Sequence, residues 1–488
     1  MPGIEDYAGA TPDAPAILTL RSTLSFAELD ARHRRLAGAL RAQGLATGDR
    51  IAVLSANRPE SLEVTTGALR AGIVPVPVNA LLTPPEMAYM IEDSGARWLF
   101  TDRAMEATPG LDHVVTFGDA YERFLHEGAE AAVPGVALGR PMHYTSGTTG
   151  QPKGVWVDPV SPSAGARLSE DFRSQWGLSP EDRHLVCSPL AHSAPHRFAM
   201  RTLEAGGAVV LIDKFDADEV LAAVELFGVT STFMVPTHLE RIISRPRRTL
   251  ARHDVSSLRL LAHAGAPIRP ETKRSAIDLF PPGSVWEFYG STEGSATRIS
   301  SEEWLAKPGS VGTPRAGAEI LVTEESGQRL PPGEAGVVWV RDQRAERFSY
   351  WNDPVKTGAA WRGDAFTVGD LGYLDTDGYL FLTGRVHDTI ITGGVNVYPQ
   401  EVEDVLASHP AVAEAVVYGA PHDEWGQQVH AAVVPVFGYP LDPDLLRTWA
   451  RERLAGFKCP RHIEIVESLP RTATGKVARR PPFPGIDQ

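Results

Sequence analysis

Residues 144–155 read YTSGTTGQPKGV. Gly147, Gly150 and Gly154 let backbone N–H groups come close to an anion. Thr145, Ser146, Thr148 and Thr149 add hydroxyl donors, and Lys153 adds a point charge suited to phosphate. These residue types in this spacing point to a cradle for a polyphosphate. A Walker A loop carries Gly directly before its lysine and Ser or Thr after it. Pro152 and Gly154 occupy those places, so the stretch is not a P-loop. A flexible surface loop is the plain alternative, and the density of Gly and Thr closed by Pro-Lys-Gly argues against it.

Further segments concentrate polar residues among glycines. EFYGSTEG (287–294) holds Glu287, Tyr289, Gly290, Thr292 and Glu293. Gly265, Ala266 and Pro267 lie in HAGAPI, and Asp370 and Arg385 bracket the stretch GDLGYLDTDGYLFLTGR. Gly393 and Gly394 sit in IITGGVNVYPQEVE, and Lys476 in PRTATGKVARR. Taken one at a time these are weak signals. Asp370 alone reads as a turn residue, Glu293 as a helix cap, Lys476 as a solvated lysine, and Gly393–Gly394 as a turn between strands. His192 and His196 are four apart, as helical zinc ligands would be. Pro195 between them argues against a continuous helix, and no Glu follows His192, so zinc is set aside.

Alternating strands and helices must position these residues. Residues 25–45 read as an amphipathic helix with Phe26, Leu29, Leu36 and Leu40 on one face and a Ser25–Glu28 capping box. RIAVLSAN follows as a buried strand, and the strand–helix alternation returns through GAVVLIDKF, DADEVLAAVELFG, VTSTFMVPT and LRLLAHAGAPI. Such alternation predicts α/β architecture, with parallel-type sheets covered by helices and ligands beyond the carboxyl ends of the strands. Residues 310–385 carry short β runs split by Gly and Pro, which predicts a small β-rich subdomain. The remainder reads as a compact α+β set. The expected division is therefore 1–385, a boundary at Val386–His387, and a small domain over 388–488, which the resemblance given below implies to be mobile.

The bulk numbers narrow the class. A chain of 488 residues is too long for one ordinary core. The net charge of −14 argues against a nucleic-acid partner. Two cysteines give no disulfide framework and no zinc set, and they fit a reducing cytoplasm. No basic-then-apolar leader pattern opens the chain, and no run reaches the roughly 18 apolar residues of a membrane span. Oligomeric state is not legible.

The ordered motifs resemble those of the adenylate-forming enzymes, which include acyl-CoA synthetases, luciferases and the adenylation domains of peptide synthetases. The resemblance covers nearly the whole chain. It implies ATP-dependent activation of a carboxylic acid through an acyl-adenylate, followed by transfer to CoA. By that resemblance the 145–151 loop and Lys153 hold the β- and γ-phosphates, and Glu293 helps bind Mg²⁺. Glu287, Tyr289, Gly290, Thr292, Gly265, Ala266 and Pro267 surround the adenine and α-phosphate. Asp370 and Arg385 hold the ribose. Lys476 bridges the carboxylate and the α-phosphate, and Gly393 and Gly394 line the CoA side. His387 stands at the hinge, where relatives usually carry Lys or Asp. His192 resembles a gate over the acyl pocket. The pocket-wall segments are small and apolar, and no Lys or Arg stands out as a counter-charge. The implied substrate is therefore a hydrophobic monocarboxylic acid, fatty, aromatic, steroid-like or terpenoid. A non-CoA acceptor, such as a carrier protein, released adenylate or luciferase- or nitrite-type chemistry, is the alternative. A non-catalytic protein on the same fold is disfavoured because Lys153, Glu293, Asp370, Arg385 and Lys476 are all present.

Overall fold

The computed structural model describes residues 3–105, 110–131, 140–145, 152–158, 160–343, 347–392, 395–422, 425–471, 477 and 479, without the side chains of Pro162 and Asn396. Contacts divide the chain into two compact units. The first comprises 1–308, 314–318 and 342–362, and the second 309–313, 319–341 and 363–488.

In the first unit, the helix Phe26–Ala42 starts where Ser25 accepts from the Glu28 N–H and Glu28 accepts from the Ser25 N–H. This is the capping box read in the sequence. Phe26, Leu29, Leu36 and Leu40 are fully buried on its inner face. The strand Arg50–Ser55 pairs in parallel with Val74–Asn79 and Trp98–Thr101, and the latter with His113–Thr116. Val74–Asn79 is buried along its whole length, as expected of a strand covered on both faces.

A nine-stranded sheet forms the larger core. Its parallel centre runs Val285–Gly290, Leu260–His263, Ser231–Met234, Arg183–Val186, Ala208–Leu211 and Pro15–Leu18 in hydrogen-bonded order. Helices between the strands cover it. Ala217–Phe227, for example, begins where the Asp216 carboxylate accepts from Asp218 and Glu219 N–H. The α/β architecture thus follows the sequence pattern, with antiparallel strands Thr23–Ser25 and Ser295–Ile299 added to the parallel centre. A smaller antiparallel sheet joins His143–Thr145, Lys153–Val157 and Phe348–Tyr350.

The second unit pairs Gly336–Asp342 with Asp370–Leu374, and Asp370–Leu374 with Leu380–Arg385. Its other sheet is five-stranded, built on the long hairpin Val412–His422 and Gly426–Pro435. Helices Pro399–Ala407 and Pro443–Arg451 pack there around Val402, Leu406, Val417, Ala431 and Leu446. Val386–Asp388 is a single turn of 3₁₀ helix. No helix among the described residues is long and apolar enough to cross a membrane.

Candidate active site

Parallel strands of one sheet deliver the predicted residues to loops at the same edge of that sheet. Val285–Gly290 ends at Gly290, Leu260–His263 runs into Gly265–Pro267, and Arg183–Val186 leads through His192 into the helix Ser193–Glu204. Neighbouring strands lie about 4.8 Å apart, so residues distant in sequence become neighbours.

After Gly290 the Ser291 N–H donates to the Gly294 carbonyl at 2.7 Å and closes a tight turn. A side chain at Gly290 would collide with the Ser295 backbone at 2.8 Å, so glycine is required by packing. Thr292 and Glu293 form the tip of that turn. Thr292 Oγ1 lies 3.1 Å from Ser193 Oγ. Glu293 is 5% exposed, and its Oε1 accepts from the Tyr350 hydroxyl at 2.8 Å. Lys153 Nζ stands 3.6 Å over the Tyr350 ring. Lys153 and Thr145 face each other across the hairpin that carries the 146–151 loop. A hydroxyl pair, a buried carboxylate and an ammonium are thereby assembled in one neighbourhood. Burial, then the Glu293 charge and hydrogen bond, push the Tyr350 hydroxyl far above its ordinary ionisation, so it remains a donor.

The other predicted positions divide. Gly265, at φ +94°, lies with Ala266 and Pro267 on an exposed turn. Tyr289 is half-buried and pairs with Thr297 in the strand ladder. Glu287 points into the unit instead. It is 6% exposed and ion-paired with Lys273, which is fully buried against the Trp304 ring. Burial raises the Glu287 carboxyl and lowers the Lys273 ammonium, each opposed by the other's charge. A side chain at Gly154 would meet Met142 and crowd Tyr144 and Trp351, so packing also favours glycine there.

His192 caps the helix that starts at Ser193, with Asn79 Nδ2 3.5 Å from its Nε2. Pro195 does not break this helix, contrary to the sequence expectation. It falls in the first turn, where its missing N–H has no intrahelical partner to lose. His196 sits one turn on, 1% exposed and edge-on to His143 with ring centroids 5.6 Å apart. Among the described residues no three or more His, Cys, Asp or Glu gather as a metal site. A single buried carboxylate at Glu293 fits Mg²⁺ that arrives with a polyphosphate, since Mg²⁺ is commonly held by one or two carboxylates plus substrate oxygens. When bound, the ion would neutralise phosphate charge.

In the second unit, the Arg385 Nε donates to Asp370 Oδ1 at 2.9 Å across a paired register. Asp370 is 8% exposed, which leaves it a constrained acceptor rather than a loose turn residue. His387 is exposed in the 3₁₀ turn. Ser146, Gly147, Thr148, Thr149, Gly393, Gly394 and Lys476 lie outside the described residues.

Sequence reasoning missed Tyr350, 57 residues from its partner Glu293, because no local pattern links them. It also missed Arg140 and Arg197, which the fold brings into one another's electrostatic field beside His143 and His196.

A family model described as AMP-binding enzyme matches residues 4–347. The chain is an AMP-binding enzyme. The C-terminal domain model of AMP-binding enzymes matches residues 401–476. Among relatives of this AMP-binding enzyme is the fatty acid–[acyl-carrier-protein] ligase ScoC of Streptomyces coeruleorubidus, 34% identical over 97% of this chain and 94% of that protein. A feruloyl-CoA synthase of Amycolatopsis sp is 35% identical over 97% and 96% of the two chains. The solved o-succinylbenzoate CoA synthetase of Bacillus subtilis, in complex with its acyl-adenylate intermediate, superposes with a TM-score of 0.87. It is 31% identical and covers 98% of this chain and 97% of that one.

Proposed function

We propose that this AMP-binding enzyme activates a carboxylic acid with an apolar body as its acyl-adenylate and then transfers the acyl group to CoA. It is an AMP-forming acid–thiol ligase, with ATP, Mg²⁺ and CoA as cosubstrates. In the first step a carboxylate oxygen bonds to the α-phosphorus and the bond to pyrophosphate breaks. In the second the CoA sulfur bonds to the carbonyl carbon, its proton is lost, and AMP leaves. The first step drives one anion onto another, so it needs fixed cations, donors and close positioning. The observation that carries the reading is the meeting of Thr292, Ser193 and Glu293, from loops of the nine-stranded sheet, with Tyr350 and Lys153 of the three-stranded sheet.

In this reading Lys153 and the loop of Thr145, Ser146, Gly147, Thr148 and Thr149 hold the outer phosphates. Thr292 donates to the α-phosphate, and Glu293 receives the Mg²⁺. Tyr289 with Gly265, Ala266 and Pro267 forms the adenine surface, while Glu287 supports it from inside through Lys273. Asp370 accepts from the ribose hydroxyls and Arg385 orients it. Lys476 bridges carboxylate and phosphate, and His192 gates the acyl pocket. Gly393 and Gly394 line the thiol's approach after residues 388–488 turn against 1–385 about residues 386–387, with His387 absorbing the change. The apolar body is supported by the wall of Trp176, Phe198, Phe233 and Phe288, whose rings pack within 5.4 to 6.3 Å of one another where they touch Phe198. Both cysteines are buried and free, which supports a reducing compartment such as the cytoplasm.

A carrier-protein acceptor is the second reading, and the likeness to ScoC favours it. Product analysis by mass spectrometry separates the two. Purified protein receives Mg·ATP and a panel of acids, with and without CoA. AMP together with acyl-CoA is the expected result. Acyl-adenylate that never becomes thioester with CoA would move the acceptor to a carrier protein. No AMP from any acid would overturn adenylation itself.

A further inference from the structure

The helix Ser193–Glu204 presents Ser193, Arg197 and Arg201 at i, i+4 and i+8, so the three side chains share one face. Ser193 opens that face against Thr292. Arg201, two turns deeper, is neutralised by Glu204 and also meets Ser169. Arg315 is neutralised by Asp342. Arg197 and Arg140 are different. Both are half-buried, and neither makes a hydrogen bond or ion pair among the described residues. Arg140 Nη2 is shut off from water without a partner. The carboxylate whose charge reaches Arg140 is Glu293, already engaged by Tyr350. Burial, with neighbouring guanidinium charge, draws Arg197 down to about 9 and Arg140 to about 10. On the flanking segments Thr145 Oγ1, Ser291 Oγ and both ring nitrogens of His196 are also buried without partners.

A guanidinium nitrogen held out of water without a partner, as Arg140 Nη2 is, is costly until an anion completes it. ATP phosphate is one candidate, because the charge of Glu293 reaches Arg140, but Lys153 pairs with Thr145 at the far end of the strand His143–Thr145 from Arg140. Arg197 lies about 6 Å along the helix beyond the Ser193–Thr292 pair. The adjoining face of that helix carries Ala194 and Phe198, which belong to the aromatic wall. An apolar face and an arginine face of this helix thus lie side by side next to the Ser193–Thr292 contact. We propose that Arg140 and Arg197 receive a second anionic group of the acid substrate, a carboxylate at the far end of its apolar body. The enzyme would then activate one carboxylate of a diacid while the arginine forks hold the other. This rests on the adenylation reading and replaces the monocarboxylic acid expected from sequence.

The test compares aliphatic α,ω-diacids of graded length, each against its own ω-carboxamide, a neutral isostere. Pyrophosphate release gives kcat/KM for each. Wild type is expected to prefer at least one diacid by about 100-fold, as sites built around polar recognition do. Arg197→Met and Arg140→Met should bring that pair within about threefold while the KM for ATP, measured with the carboxamide, holds. Arg197→Lys should restore part of the preference. Equal use of diacid and carboxamide at every length overturns the proposal. So does a rise in ATP KM that is the same with both, which would assign the arginines to phosphate. Should the variants not fold, thermal stabilisation of wild type without ATP decides: the diacid must stabilise and its carboxamide must not. Diacid stabilisation without pyrophosphate release from any acid would retain this site and overturn adenylation alone.

Discussion

Tyr350 reaches from one edge strand to hold Glu293, and the same ring carries the Lys153 ammonium on its face. A hydrogen bond to a charged group is worth about 1.5–3 kcal/mol. Tyr350→Phe should therefore slow pyrophosphate release by about 10- to 100-fold and raise the Mg²⁺ needed for half-maximal rate. Glu293→Gln should go further, on the order of 10²–10³-fold, as loss of a preorganised electrostatic partner does. A Mg²⁺ titration of both variants that superposes on wild type would remove Glu293 from the metal's surroundings. Glu287 belongs to a different argument, because its carboxylate is spent on Lys273 inside the unit. Lys273→Met should destabilise by about 3–5 kcal/mol in urea, since it leaves a buried carboxylate uncompensated. Adding Glu287→Leu should recover most of that loss with little change in ATP KM. A large rise in ATP KM in the double variant would put Glu287 in contact with the nucleotide after all.

At the scale of elements, the helix Pro399–Ala407 holds a titratable anchor. Glu403 accepts from the Val417 N–H at 2.8 Å and from the Arg479 guanidinium. Burial pushes its carboxyl up to about 7, against the pull of Arg479 and the backbone N–H. The folded state therefore holds this proton more tightly than the unfolded chain, whose value is 4.5. Its contribution to stability is complete below about pH 4.5 and is lost as pH rises through about 7. Unfolding of the second unit, followed by urea titration across that window, should show stability falling with pH. Glu403→Gln should flatten the fall, and an unchanged slope in that variant would place the titration elsewhere. In the first unit Ser25→Ala should cost about 1 kcal/mol, the usual value of an N-cap. The Ser25 cap was legible because it is local. Pro195 misled for a related reason: its effect depends on where the helix starts, and that start is at Ser193, two residues before it.

At the scale of the whole molecule, the proposed mechanism assigns the two half-reactions to different stretches of chain. Lys476→Ala should reduce adenylate formation by about 10²–10³-fold. It should leave thioester formation from a supplied acyl-adenylate within a few-fold of wild type. Equal loss in both half-reactions would sink that division of labour. The measurement follows pyrophosphate in one assay and acyl-CoA in the other.

The sequence by itself determined the strand–helix alternation, the order of the motifs and the family they belong to. These are local properties: hydrophobic period, caps, and Gly-, Thr- and Lys-rich segments whose meaning survives without partners. Asp370 and Arg385 could be named together because both lie in one motif, and the register of two adjacent strands then joins them. Tertiary structure alone decided which polar groups meet across the chain. It turned Glu287 inward onto Lys273, gave Glu293 its phenol, and brought Arg140 and Arg197 into one another's electrostatic field. The physical reason is that a charge's role depends on burial and on its nearest opposite charge. Both are fixed by contacts between residues tens to hundreds of positions apart.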